Sequence, residues 1–329
     1  RRPRASAQTR RTGRVLDDEI DALSFWRDLR QAGTMRISDD CHKLRNFLAA
    51  HPRLLVLTGA GISTGSGIPD YRDHDGAWKR PPPIQYRDFV DRPTARQRYW
   101  ARSLVGWPWF QRATPNRCHT TLAEWERRGM IAQLVTQNVD RLHQQAGAER
   151  VVDLHGRLDL VRCLDCDVQV PRQQLQDWLS ERNPDFVERT ATIAPDGDAT
   201  LEDEDVSTLI VPGCPGCGGT LKPDVVFFGE AIPRQRVEST LDALRAADAL
   251  LVIGSSLMVY SGYRYCRLAD EWDIPQIAIN PGRTRADALN VIIHMATISA
   301  DSPFMNIVSE VIEELAQRPH RRFVSSVSG

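Results

Sequence analysis

The 329-residue chain has no apolar run approaching the roughly 20 residues that cross a bilayer. It lacks a dominant charge too: 42 lysines and arginines stand against 43 aspartates and glutamates, a net charge of −1. That balance supplies no global attraction to nucleic acid or to an anionic membrane, and neither is expected as a partner. No internal repeat is visible. Two common nucleotide signatures are missing. A dinucleotide fingerprint starting at Gly59 would need glycine at position 64, where Thr64 stands; Gly65 comes one residue late. A phosphate loop would need Gly-Lys-Ser/Thr, and none follows. Nor does a second strand with a ribose-binding acid come about 20 residues on, where the chain reads RPPPIQYRDF. An ordinary dehydrogenase is therefore disfavoured.

What the chain does have is alternation. Short apolar runs end in small or polar residues: LLVLTGAG from Leu54, IAQLVTQNVD from Ile131, VVDLHG from Val151, DVVFFGE from Asp224, ALLVIGSS from Ala249 and QIAIN from Gln276. Helical patterns separate most of them, and Asp39 to Ala50 has helical spacing through Leu44, Phe47 and Leu48. Such alternation predicts an α/β fold with a mainly parallel sheet covered on both faces, binding its ligand outside the carboxyl ends of the strands. Two stretches break the pattern. Residues 74–117 are rich in Pro, Trp and Arg and read as a helical insert. Residues 161–219 hold two cysteine pairs and the acidic run LEDED, and read as a smaller module. Residues 1–37, which open with the acid-free RRPRASAQTRRTGR, are expected to be a disordered basic tail, a targeting remnant being the alternative.

The stretch LLVLTGAGISTGSGIPDYRD is the first candidate site. Gly59 and Gly61 could let the backbone approach a pyrophosphate, or could belong to an ordinary tight turn. The charged sequel Asp70, Arg72 and Asp73 favours a nucleotide. The second candidate is a metal site. Of the seven cysteines, Cys163-x-x-Cys166 and Cys214-x-x-Cys217 present four thiolates, a set that suits one structural Zn2+ with no position left for water. Two redox pairs are the other reading, which the Gly-rich CPGCGG context does not favour. Cys41, Cys118 and Cys266 read as unmodified thiols.

Together, GAGIS, TQNVDRLH from Thr136, LHG from Leu154, the cysteine pairs, KPDVVFFGE from Lys222, GSSLMVYSG from Gly254 and INPG from Ile279 resemble the sirtuins, NAD-dependent protein-lysine deacylases. IPDYRD, RQRYWAR, APDGD and VYSGYR are most similar to the class II branch typified by a mitochondrial member, with bacterial relatives. The resemblance implies an inverted Rossmann-type domain, a zinc module and a helical insert. The catalytic domain would span 38–317, with its core at 38–73, 118–160 and 220–317, and a C-terminal tail at 318–329. NAD would be consumed as co-substrate, and acyl-lysine-bearing proteins would be the partners. Gly59, Ala60, Gly61 and Ile62 would line the diphosphate and nicotinamide ribose, with Asp70, Tyr71 and Arg72 beside them. Most sirtuins have Phe where Tyr71 stands. Gln137, Asn138 and Asp140 match the ribose and nicotinamide pocket. Gly254, Ser255, Ser256, Asn280, Pro281 and Gly282 match the adenosine side, with a further adenine contact near Ile298. Val225, Val226, Phe227 and Gly229 would meet the acyl-lysine.

The family's reaction, so implied, begins when the acyl-lysine amide oxygen attacks C1′ of the ribose as nicotinamide leaves. A ribose hydroxyl activated by a histidine then takes the acyl group, giving 2'-O-acyl-ADP-ribose. His155 and Asn138 occupy the catalytic places. A near-neutral imidazole pKa would suit a base at pH 7. On its own, a histidine before glycine is more often a satisfied turn residue; the motif context reverses that. His119 and His143 lack the context and read as structural. Tyr99 and Arg102, spaced i, i+3 on one helical face, resemble a pair with which another sirtuin branch holds acidic acyl chains. Trp107, Trp109 and Phe110 could wall a roomy acyl channel nearby. A packed tyrosine with a solvated arginine is the plainer reading. Three other functions compete: a mono-ADP-ribosyltransferase, a non-catalytic zinc-ribbon adaptor and an NAD oxidoreductase. A cytoplasmic location is expected, the mitochondrial matrix being the alternative; oligomeric state is not legible.

Overall fold

The computed structural model describes residues 42–79, 83–187, 192–193, 199–200, 206–289 and 292–294. Both tails, the acidic run from Leu201 and the expected contact near Ile298 lie outside the described residues. Two compact units are distinguished, residues 1–44 and 45–329. A helix, α1, covers residues 42–50; every element after it belongs to the second unit.

In chain order, β1 (Leu54–Thr58) leads through a 3-10 turn (Ala60–Ser66) to α2 (Tyr86–Asp91), α3 (Pro93–Phe110) and α4 (Arg117–Arg127). Next come β2 (Ile131–Thr136), α5 (Leu142–Gln145), β3 (Val151–Asp153), β4 (Gly156–Cys163) and β5 (Gln169–Pro171). The smaller module continues with α6 (Arg172–Arg182), α7 (Pro184–Val187), β6 (Thr192–Ile193) and β7 (Ala199–Thr200). The chain returns through β8 (Leu221–Val225), α8 (Arg234–Ala246) and β9 (Ala249–Ile253), then α9 (Tyr260–Glu271), β10 (Gln276–Asn280) and β11 (Ile292–His294).

The large sheet has six strands in the order β11-β10-β9-β1-β2-β3, every neighbouring pair parallel. All five residues of β1, of β9 and of β10 are buried. This is the expected signature of a sheet covered on both faces, where each buried Leu, Ile or Val contributes roughly 1.5–3 kcal/mol. Strand order reverses between β1 and β9. A crevice therefore opens at their carboxyl ends, where such sheets bind ligands.

One apolar run does not join that sheet. DVVFFGE was expected among its strands, but β8 pairs antiparallel with β4, which also pairs with β5 in a separate three-stranded sheet. Residues 226–230 leave β8 as irregular backbone. The insert and the smaller module share one core. Phe89, Tyr99, Trp100 and Leu104 from the insert pack with Val161, Val170, Leu175, Leu179, Phe186 and Leu221. Polar contacts cross the same boundary: buried Arg172 donates to the Ser103 carbonyl at 3.0 Å and hydroxyl at 2.9 Å, and Gln176 donates to the Leu104 carbonyl at 2.9 Å.

Candidate functional site

The loop after β1 turns directly into a 3-10 helix, closed at Gly67. Its glycines also bring two loops into contact. The Gly61 N–H donates to the Gly254 carbonyl at 2.8 Å, and a Cβ on Gly61 would stand 2.8 Å from that same oxygen. Small residues here let the loops after β1 and β9 touch across the switch point. Sequence pattern alone suggested only a ligand or a turn, because Gly254 is far away along the chain.

A cavity of about 590 Å³ opens beside these loops. It lies in the range of cofactor and small-molecule sites, roughly 300–1,000 Å³. Gly59, Ala60, Gly61, Asp70, Tyr71 and Arg72 line it on one side. Gln137, Asn138 and His155 line its middle, while Gly254, Ser255, Ser256, Asn280, Pro281 and Gly282 follow β9 and β10. Tyr99, Val225, Val226, Phe227 and Gly229 complete the wall. Ile62 and Asp140 are not on it: both are buried, Ile62 at 0% exposure. Arg102 does not line it either, so the structure brings Tyr99 but not its expected partner to the cavity. Trp107 and Phe110 are buried among Ile68, Leu142, Val139 and Leu158, and only the last two of that group reach the cavity.

Beneath the cavity lies a polar network. Asn138 Nδ2 donates to the Gly59 carbonyl at 3.1 Å and to Ser63 Oγ at 3.0 Å. Ser63 Oγ donates to the Asp140 carboxylate at 2.6 Å, and the Leu142 N–H donates to it at 3.0 Å. Burial pushes the Asp140 pKa up, with the Ser63, Leu142 and Asn138 hydrogen bonds opposing. His119 and His143 sit in the same network, their ring centroids 4.8 Å apart. His119 Nδ1 accepts from the Asn116 N–H at 3.2 Å, so its Nε2 proton faces Ser63 Oγ at 3.5 Å. His143 Nε2 meets Thr58 Oγ1 at 2.9 Å. Burial holds His119 down to about 4 and His143 well below its usual value.

His155 is half-buried at the end of β3. Its Nδ1 lies 3.0 Å from the Gln137 carbonyl, and its Nε2 lies 2.7 Å from Ser261 Oγ. A carbonyl only accepts, so Nδ1 carries the proton and Nε2 keeps its lone pair in the neutral ring. Desolvation lowers the pKa to about 4, and the Gln137 carbonyl raises it against the charges of Arg236 and Arg264. The ring is thus neutral at pH 7, its pKa well below the near-neutral value its residue type suggested.

Several lining residues escaped the sequence reading. Trp78 lies under the guanidinium of Arg72, 3.9 Å from its ring centroid, and Arg72, itself expected here, also donates to the Gly76 carbonyl at 2.7 Å. Lys79 pairs with Asp70. Ser261 belongs to the quoted VYSG motif, but its partner is 106 positions away, so no local signal marks it.

The four cysteine sulfurs lie within 4.8 Å of one another, Cys163 to Cys217 and Cys166 to Cys214 at 3.6 Å. Four thiolates at about 2.3 Å from a tetrahedral zinc would stand about 3.8 Å apart. The set fits one closed, structural zinc site. The Asp165 carboxylate accepts from the Thr220 N–H at 2.8 Å and ties the two knuckles together.

Comparison with known proteins agrees with this geometry. A Sir2 family model matches residues 59–261. A Xanthomonas axonopodis pv. citri protein named NAD-dependent protein deacetylase is 56% identical over 250 residues, covering 76% of this chain and 85% of the relative. Bovine NAD-dependent protein lipoamidase sirtuin-4, mitochondrial, is 49% identical over 250 residues, 75% of this chain and 79% of the relative. A solved structure described as Sir2-p53 peptide-NAD+ superposes with a TM-score of 0.62 at 26% identity, covering 83% of this chain and 98% of the other. With its parallel sheet, cysteine cluster and His155-lined cleft on one chain, this protein belongs to the Sir2 family.

Proposed function

We propose that the chain is an NAD-dependent protein-lysine deacylase that moves the acyl group of an acyl-lysine onto ADP-ribose and releases nicotinamide. The observation that carries this reading is His155, which lines the cavity with Asn138 and whose Nδ1 is committed to the Gln137 carbonyl, leaving Nε2 as the basic nitrogen. The cleft fits NAD: polar Ser255, Ser256 and Asn280 stand at the carboxyl ends of β9 and β10, and Asn138 is held from below. When bound, NAD would supply a ribose whose C1′ bonds to the amide oxygen as its bond to nicotinamide breaks, and whose hydroxyl would take the acyl group.

The chain's own residues do little covalent chemistry. His155 Nε2 takes the proton of the ribose hydroxyl as that oxygen bonds to the acyl carbon. Asn138 and buried Asp140 order the floor on which the nicotinamide ribose would rest. Phe227, Val225, Leu158, Ile84 and Tyr99 make an apolar end to the cavity, which excludes water and suits an acyl chain longer than acetyl. Of the Tyr99–Arg102 pair only Tyr99 reaches that wall, so length rather than acidity is the selected property. The bacterial deacetylase relatives favour a cytoplasmic location, with the mitochondrial matrix as the alternative suggested by the sirtuin-4 relative; among the described residues no helix is long and apolar enough to cross a membrane.

Incubation with labelled NAD and an acyl-lysine peptide tests the reading by mass spectrometry. Label leaving as acyl-ADP-ribose is expected. Label retained on protein, with the acyl group still on the peptide, would favour ADP-ribosyl transfer; no reaction of either kind would favour a zinc-ribbon adaptor.

A further inference from the structure

We propose that Ser261 is a positioning residue for His155, its hydroxyl holding the imidazole in the orientation from which Nε2 receives the ribose proton. This rests on the reading of His155 as the base. Ser261 lies in the first turn of α9, lines the cavity and places Oγ 2.7 Å from His155 Nε2. The Gln137 carbonyl claims the Nδ1 proton from the other side of the ring at 3.0 Å. With Nδ1 donating and Nε2 accepting, the hydroxyl donates to Nε2. Two fixed partners on opposite edges leave the ring neither free to flip nor free to change tautomer.

The helix that carries Ser261 is itself seated on the same partner. A Cβ at Gly262 would come within 2.5 Å of the Gln137 side-chain amide, so a bare Cα is what lets α9 approach this closely. The Gln137 side chain is in turn fixed by Ser255, whose hydroxyl donates to Gln137 Oε1 at 2.6 Å. Gln137, Gly262, Ser261 and His155 therefore form one closed circuit, which Ser255 anchors at Gln137. Nε2 has one lone pair, so an arriving ribose hydroxyl takes the place of the serine hydroxyl on it; Ser261 presets the tautomer and ring orientation and then yields that position to the ribose.

The test separates two reactions of the full, zinc-loaded chain. Exchange of labelled nicotinamide into NAD in the presence of an acyl peptide precedes the step that needs the base. Acyl transfer to ADP-ribose follows it. Ser261→Ala is expected to lower acyl-transfer kcat roughly 10-fold, a part of the roughly 10²–10⁴ that a general base supplies, while exchange stays within about 2-fold. Ser261→Thr, which keeps the hydroxyl, should restore most of the loss. The 15N resonance of His155 Nε2 should be that of an acceptor nitrogen in the parent and should move in Ser261→Ala. Unchanged acyl transfer in Ser261→Ala, or equal loss of both reactions, would overturn the proposal. His155→Ala is measured alongside. If it blocks acyl transfer while Ser261→Ala does not, only the role of Ser261 falls; if it leaves acyl transfer intact, the base reading itself falls.

Discussion

Lys222 and Glu230 meet at 3.0 Å beneath the segment that carries Val225, Val226, Phe227 and Gly229. The ammonium also donates to the Pro223 carbonyl at 3.3 Å and to the Val225 carbonyl, and it lies 4.5 Å from the Phe227 ring centroid. Glu230 accepts from the Phe227 N–H at 2.8 Å. The pair braces the backbone that leaves β8 after Val225, which is otherwise tied by the Val226 N–H to the His155 carbonyl and by the bridge of Phe228 to Gln85. Breaking a buried ion pair costs roughly 3–5 kcal/mol, and Glu230 is 23% exposed, so Lys222→Met should destabilise by about 3 kcal/mol or somewhat less. Denaturant titration would check this, and KM for the acyl peptide should rise more than KM for NAD. An equal rise in both would show that the brace does not act on the acyl-lysine wall alone.

His155→Ala should leave NAD binding nearly intact while acyl transfer falls by roughly 10²-fold or more. Calorimetric binding and single-turnover product formation are the two measurements. Retention of most of the turnover under chemistry-limited conditions would remove His155 from the mechanism.

Metal analysis should find one zinc per chain. Cys214→Ala removes one of four thiolates whose binding energy is folding energy, and it should lower the melting temperature of the whole catalytic unit. Full activity and unchanged melting after verified zinc removal would contradict a structural site.

Stability should decline as pH falls from about 6.5 toward 5. His119 and His143 are buried, and burial holds the folded-state pKa of His119 to about 4 and that of His143 well below its usual value. The unfolded chain takes up protons that the folded chain refuses, so acid favours unfolding across that window. Each such group contributes at most about 1.4 kcal/mol per pH unit. His155 adds less, since its ring faces the cavity. Asp140 and Asp153, raised by burial, act in the opposite sense at lower pH. Thermal melts at fixed ionic strength, with zinc content checked at each pH, would read the slope. A flat profile would mean these rings are solvated in solution.

A peptide panel should show medium-length acyl groups turning over with higher kcat/KM than acetyl, because the end of the cavity is apolar. Burial of each additional methylene is worth about 0.8 kcal/mol, up to about 4-fold. Arg102→Met should leave the ratio of glutaryl to acetyl activity unchanged. Collapse of that ratio in the variant would return the arginine to the acyl site, and an acetyl preference in the parent would end the length argument.

Much of this was legible from residue order alone. The runs beginning at Leu54, Ala249 and Gln276 became fully buried strands because a parallel sheet covered on both faces demands unbroken apolar sequence. The cysteine spacing identified the metal cluster because ligand chemistry is local. DVVFFGE misled for a physical reason: an apolar run reports burial, not which sheet buries it, and its pairing with β4 is a long-range choice. The same limit hid Ser261, and it hid the close approach of Gly61 to Gly254. Arg102 was placed by helical spacing, which fixes a face of α3 but not what that face looks upon.

The core shared by the insert and the zinc-bearing segment also bears on how such proteins can be recombined. Two stretches that leave the sheet at different points along the chain have grown into a single body, joined by Arg172 to Ser103 and by Trp100 and Leu104 packed among Val170 and Leu175. Grafting the cysteine-bearing stretch alone from a relative would set foreign side chains against α3. The interchangeable unit is the pair, transplanted together, and a chimera that respects it should fold where one cut only at the cysteines would not.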